Sequence, residues 1–153
     1  MKLFYGTGNQ SKLRNMRAIL AGMPIELVTP ADLGIRLPAV EETGATPLEN
    51  AALKAEAYHA VSGLPSFSLD SGLYLEGVPA ALQPGPYVRR VNGRELSDEE
   101  FIAYYQQLAH QYGGRLKARF INGLCVVLDD RQRKEAAGPQ VSTDWFWIVE
   151  TPH

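Results

Sequence analysis

Apolar residues fall in short alternating or helix-spaced groups along this chain, separated by clusters of Gly, Pro and acidic residues. Lys2 to Tyr5 is a β-prone run that ends at Gly6. From Gln10 to Ala21 the residues Leu13, Met16, Ile19 and Leu20 recur at helical spacing, and Gly22 and Pro24 close that helix. Ile25 to Val28 reads as a second strand, and Thr29 to Ala45 as a loop carrying Pro30, Pro38 and the acidic pair Glu41-Glu42. Thr46-Pro47-Leu48-Glu49 opens a helix: Thr46 caps, Pro47 takes the first helical position and Glu49 completes a capping box. Ala51, Ala52, Ala55, Ala57 and Ala60 give that helix small residues for close packing, and Gly63 and Pro65 stop it.

Ser66 to Leu69 predicts a short strand, broken by Asp70-Ser71-Gly72 and resumed at Leu73-Tyr74-Leu75. Gly77 to Gly93 is rich in Gly and Pro and reads as a long loop. Ser97-Asp98-Glu99-Glu100 is a second capping box, starting a helix with Phe101, Ile102, Tyr105 and Leu108 that ends at Gly113-Gly114. Arg115 to Leu128 predicts a strand interrupted near Asn122-Gly123, Asp129 to Gly138 a polar connection, and Trp145 to Val149 a last strand. The order of elements predicts an α/β fold with a mixed sheet, in a single domain covering 1–153.

Composition narrows the function classes. A length of 153 residues with 45% apolar and 21% charged residues fits one ordinary core. A net charge of -2 gives no general attraction to nucleic acid or to an anionic membrane, so neither is expected as a partner. No apolar run approaches the roughly 18 residues needed to cross a bilayer. The N-terminal run is too short for a signal peptide, so the cytoplasm is the expected address. Cys125 stands alone in an apolar run, which excludes a disulfide framework and predicts a buried small hydrophobe. His59, His110 and His153 show no ligand spacing.

The candidate chemistry gathers at two strand-to-turn positions and the helix between them. Thr7, Gly8 and Asn9 follow the first strand and Lys12 sits about one turn into the next helix, whose free N–H groups and dipole favour an anion. Taken alone, this is also what an ordinary strand-to-helix turn looks like, and it matches neither the Walker nor the dinucleotide spacing. Glu41 and Glu42 are solvated charges in the bland reading, and oxygen ligands for magnesium in the functional one. Glu49 is explained by capping, and Lys54 by an exposed ion pair. Asp70 at the end of a strand lies where α/β proteins bind ligands, able to hold a metal or take a proton from water, with Ser71 beside it as a phosphate donor. Arg89, Arg90 and Arg119 are further cations for phosphate or for the acidic site.

Five segments in this order resemble the inosine/xanthosine triphosphate pyrophosphatase family, which hydrolyses non-standard purine nucleoside triphosphates. They are Thr7-Gly8-Asn9-x-x-Lys12, Glu41-Glu42-Thr43-Gly44-x-Thr46-x-x-Glu49-Asn50-Ala51-x-x-Lys54-Ala55, Leu64-Pro65 with Asp70-Ser71-Gly72-Leu73, Pro84-Gly85-x-Tyr87-x-x-Arg90, and Ala118-Arg119-Phe120. The resemblance implies an elongated α/β domain with a central cleft, a homodimer, Mg²⁺ as cofactor and a nucleoside triphosphate as substrate. It implies water attack at the α-phosphorus, releasing a nucleoside monophosphate and pyrophosphate. Asp70 matches the proton acceptor and metal ligand, Glu42 the metal-binding glutamate, and Thr7, Gly8, Asn9, Lys12, Lys54, Ser71 and Arg90 the substrate-binding positions.

The chain departs from that pattern in named places. Leu69 stands where the family has a second acid, Pro47 where it has Phe, and Asn15 where an acid is common. The family's Gly-Phe-Gly-Tyr-Asp and Ser-His-Arg segments do not occur, so the domain is expected to be shortened at its C-terminus. These departures motivate an alternative, a degenerate relative that binds a nucleotide or serves as a dimerisation module without turnover. The aromatic ending Trp145-Phe146-Trp147 is expected to need cover, from a partner subunit or from fold elements that compensate for the absent segment.

Overall fold

The computed structural model describes residues 1–151, and the side chains of all of these except 138–140. His153 lies outside the described residues. The elements run β1 (Lys2–Tyr5), α1 (Gln10–Ile19), β2 (Glu26–Val28), α2 (Pro30–Leu33), α3 (Pro47–Ser62), β3 (Ser66–Leu75), β4 (Arg90–Val91), β5 (Arg94–Glu95), α4 (Asp98–Gln111), β6 (Arg115–Val127), β7 (Arg133–Ser142) and β8 (Phe146–Val149). The main sheet has the order β2-β1-β3-β6-β7, with β8 pairing the other end of β6. β1 pairs parallel with β2 and β3, whereas β3–β6, β6–β7 and β6–β8 are antiparallel. This is the mixed α/β sheet that the sequence predicts.

β3 and β6 form the spine. They pair over ten residues, from Ser66 opposite Val127 to Leu75 opposite Ala118. Residues 116 and 118 differ in parity from 125 and 127, so they face opposite sides of the sheet. Leu116 and Ala118 join Leu73 and Leu75 under α4, against Tyr105, Leu108 and Ala109. Cys125 and Val127 pack under α3, against Ala51 and Ala55. Helices therefore cover both faces, one at each end of the long strand pair. Cys125 is fully buried, as expected of a small hydrophobe, and burial pushes its thiol up to about 11.

Four sequence readings are corrected. Asp70-Ser71-Gly72 does not break its strand, because β6 supplies a partner to every residue from Ser66 to Leu75 and the ladder outweighs local turn preference. Likewise β6 runs unbroken through Asn122-Gly123, and the irregularity appears as a register shift in its pairing with β7. The second half of the segment read as a polar connection, Asp129 to Gly138, belongs to β7, which runs Arg133–Ser142 as an outer strand of the sheet. Within the segment read as loop lies α2, capped by Thr29 and Asp32 in a reciprocal box and started by Pro30.

Other readings hold with small shifts. Thr46 caps α3 by accepting the Glu49 N–H, but the Glu49 carboxylate takes the N–H of Ala45 instead of closing a box on Thr46. Ser97 and Glu100 do form a reciprocal box at α4. The long loop is pinned along its length: Gln83 exchanges hydrogen bonds with the Leu75 backbone and donates to the Val78 carbonyl, and Gly85 bridges to Leu73. His59 and His110 are structural, bonding Leu64 and Asp130, and Glu150, respectively. No helix among the described residues is long and apolar enough to cross a membrane.

Candidate functional site

β1 lies between β2 and β3, so the chain leaves β1 toward one side and returns to the other. Such a switch in strand order leaves a crevice at the carboxyl ends of the strands. Here it is widened by unequal lengths. β1 stops at Tyr5, opposite Phe67, while β3 continues to Leu75. Ser68, Leu69, Asp70 and Ser71 therefore run on past the end of β1, where they line a cleft of about 540 Å³ with Thr7, Lys12, Asn15, Lys54 and Tyr58. Asp70 thus lies at a sheet margin, though in mid-strand rather than at a strand end.

The N-terminus of α1 forms one wall. The Thr7 hydroxyl accepts the N–H of Asn9, and the Asn9 side chain caps the helix by accepting the N–H of Lys12. Capping leaves the first-turn N–H groups of Gln10 and Ser11 for an outside acceptor. No acidic residue occupies this first turn, so its positive end is uncompensated. Lys12 has no carboxylate partner among the described residues.

Opposite stands an acid–lysine–acid cluster. Lys54 lies on the inward stripe of α3 with Pro47, Asn50, Ala51 and Ala55. Its ammonium contacts Glu42 Oε1 at 2.8 Å and Asp70 Oδ1 at 3.3 Å, and it also donates to the Leu69 carbonyl. Burial alone would depress Lys54, but the hydrogen bond to Glu42 and the charges of Asp70 and Glu42 outweigh it and raise the ammonium. Asp70 moves in the same direction. Burial raises its carboxyl above the ordinary 3.8, the Glu42 charge adds to this, and Lys54 and the Asn50 amide only partly offset it. For a typical ion pair the acid would be lowered; here its desolvation dominates, so the cluster still favours additional positive charge.

That imbalance bears on a metal. Magnesium takes one or two carboxylates and completes its shell with water and substrate phosphate. Glu42 and Asp70, converging on one ammonium, match that carboxylate complement. No group of three or more His, Cys, Asp or Glu side chains gathers among the described residues, so the other ligands would come from substrate and water.

The structure unites most, though not all, of the sequence-predicted site residues. Thr7, Lys12, Lys54, Asp70 and Ser71 line one cleft. Gly8 and Asn9 belong to the turn above it. Glu42 and Arg90 line an adjoining hollow with Asn50 and Tyr87, joined to the cleft through Lys54. The Ser71 hydroxyl donates to Asn122 Oδ1 at 2.6 Å, so it reaches a phosphate only by giving up that bond. Arg89 is committed to Asp98 and to the Phe101 ring, whereas Arg90 lies over the Tyr87 ring. Arg119 stacks on Trp145, away from the cleft.

Sequence reasoning gave no role to Asn50. It is 1% exposed, and its Oδ1 accepts the Gly44 N–H at 2.7 Å. A polar residue on the stripe otherwise made by Pro47, Ala51 and Ala55 was the available signal. Tyr58 and Tyr5, on the cleft wall, carried no such mark.

A sequence profile of the Ham1 family matches residues 3–141. A dITP/XTP pyrophosphatase of Thermus thermophilus is 37% identical over 130 residues, which is 85% of this chain and 61% of that protein. The Haemophilus influenzae dITP/XTP pyrophosphatase is 38% identical over 130 residues, covering 82% and 62%. The chain therefore spans about three fifths of the length of these curated relatives. Among solved structures, a HAM1 protein from Coxiella burnetii superposes with a TM-score of 0.77 at 25% identity, over all of this chain and 75% of that one. The profile match and the identity to these relatives together establish that the chain belongs to the Ham1 family.

Proposed function

We propose that the protein hydrolyses non-standard purine nucleoside triphosphates to nucleoside monophosphate and pyrophosphate with the help of magnesium. One observation carries this reading: Asp70, raised by burial and paired with Lys54, faces a cleft whose opposite wall is an uncompensated helix N-terminus with Lys12. The relatives' description as dITP/XTP pyrophosphatases supports the substrate class.

The chemistry follows from these groups. Thr7, Gly8, Asn9 and Lys12 cradle the phosphates, whose charge the first turn of α1 favours. Asp70 accepts a proton from the attacking water as an oxygen–phosphorus bond forms at the α-phosphorus. The α–β bridging bond breaks, and its electron pair leaves with pyrophosphate. A carboxylate held beside the attacking water by Lys54 is the kind of base that this step needs. Lys54 orients Asp70 and stays charged, while Arg90 and Ser71 provide further phosphate contacts. Glu42 and Asp70 would hold magnesium, which supplies Lewis-acid polarisation of the phosphate oxygens when bound.

The test is a screen of dITP, XTP, ITP and the common triphosphates with magnesium, scoring pyrophosphate and orthophosphate separately. Pyrophosphate from dITP and XTP is the expected product; orthophosphate alone would remove attack at the α position. One observation favours the second reading, of binding without turnover. Leu69, 40% exposed on the cleft wall, offers no second carboxylate. Saturable binding by calorimetry with no product would select it.

The proposed assembly is a homodimer in the cytoplasm. Phe146 stacks on Phe120 beside the core, but Trp145, just before β8, and Trp147, on β8, remain 42% and 50% exposed. Apolar rings on an outer strand are stabilised by a covering surface. Light scattering is expected to give twice the chain mass, and a monomer at micromolar concentration would refute it.

A further inference from the structure

We propose that Tyr87 is a positioning residue that sets Arg90 and Glu42 as one unit, its ring carrying the arginine and its hydroxyl latching the acidic loop. This rests on the pyrophosphatase reading above, in which Arg90 contacts phosphate and Glu42 helps to hold magnesium.

The loop bearing Tyr87 has a fixed root. Gly85 and Leu73 exchange both backbone hydrogen bonds, at 2.8 and 3.0 Å, three residues beyond Asp70 on β3. From that root Tyr87 reaches across to the acidic loop. Its hydroxyl lies 2.7 Å from both the Glu42 and the Gly44 carbonyl oxygens, so its single proton is shared between them. On the other side, Gly44 donates to Asn50 Oδ1 and Ala45 to Glu49 Oε2, both on α3. A Cβ on Gly44 would lie 2.6 Å from the Glu49 Cβ and 2.7 Å from Asn50 Oδ1, so the loop sits tightly on the helix. The acidic loop is thus held between α3 and Tyr87. The hydroxyl of Tyr87 is the hydrogen-bond donor to Glu42's carbonyl among the described residues, while the Glu42 carboxylate continues to Lys54 and Asp70.

The ring supplies the other half. The Arg90 guanidinium lies 5.5 Å from its centroid. Arg89 has a carboxylate and a different ring, so Arg90 is the member of the pair left available to a ligand. An anion drawing on Arg90 acts on the same side chain that holds Glu42 in place.

Two substitutions separate the functions. Tyr87→Phe keeps the ring and removes the latch. It is expected to raise the magnesium concentration for half-maximal rate about tenfold, as loss of a ligand-orienting contact does, with the nucleotide KM little changed. Tyr87→Leu removes the ring as well and is expected to raise that KM roughly fivefold in addition. Manganese binding, followed by electron paramagnetic resonance with the non-hydrolysable α,β-methylene dITP present, gives a readout independent of turnover and is expected to weaken in Tyr87→Phe. Equal metal requirement and equal manganese binding in Tyr87→Phe and the parent would overturn the latch. A fall in kcat alone in both variants, with neither parameter moving, would reduce Tyr87 to a structural role and overturn it too. A parent protein that releases no pyrophosphate sinks the enzymatic reading, and the manganese titration still decides the latch.

Discussion

Asp70→Asn is expected to lower pyrophosphate release from dITP and XTP by about a thousandfold, the scale of a lost general base, while leaving the melting temperature unchanged or higher. The two effects have one cause. Burial holds the Asp70 carboxyl above its ordinary value despite the ammonium of Lys54 beside it. The folded protein therefore binds this proton more tightly than the unfolded chain does. The resulting stabilisation is fully present below the unfolded value near 3.8 and is lost as pH rises through the raised folded value. At neutral pH the ionised group is retained against its own desolvation. Asn removes the charge and keeps the shape, and Glu42 at 2.8 Å still partners Lys54. A variant as active as the parent in a pyrophosphate assay would remove Asp70 from the chemistry. A variant that is inactive and also melts well below the parent would mean that the carboxylate supports the fold instead.

Most of this site was legible in the sequence because its parts are local. The start of α3 at Thr46-Pro47 and the box at Ser97–Glu100 each depend on residues within one turn, as does the Asn9 cap of α1, which the structure adds to the turn read before Lys12. Asp70 was identified by its neighbours, yet for a reason that the structure replaces. Asp-Ser-Gly carries turn chemistry, and only the antiparallel ladder with Asn122 and Gly123, some fifty residues away, holds it extended. β7 was hidden for the same reason: its sequence has little alternation, and it is a strand because β6 offers an edge. α2 was different, since Thr29-Pro30-Ala31-Asp32 carries its own local signal with Asp in place of the usual Glu. The link from Tyr87 to Glu42 and the reach of Lys54 to two acids are tertiary. Nothing within a few residues of either end encodes them.

The position where fold and site depend most on a single atom is Gly123. It faces Asp70 across the β3–β6 ladder and lies at the register shift with β7. The first turn of α3 rests directly on it. A Cβ there would sit 2.5 Å from Leu48 Cα and 2.7 Å from the Pro47 carbonyl carbon, and both are backbone. No rotamer change relieves such a clash; the helix must lift off the sheet. Gly123→Ala is therefore expected to destabilise the protein by roughly 3 kcal/mol, or about 10 °C in melting temperature for a chain of this size. Because α3 carries Asn50 and Lys54, lifting its start also moves Lys54 from Asp70, and activity at a permissive temperature is expected to fall further than stability explains. Gly8→Ala is the matched control. A Cβ at Gly8 meets nothing within 4 Å, so its melting temperature is expected to match the parent's, and any lost activity reports on an approaching ligand. If Gly123→Ala melts like the parent, α3 does not rest on the strand at this point, and the distances from Lys54 to Glu42 and Asp70 lose their structural basis.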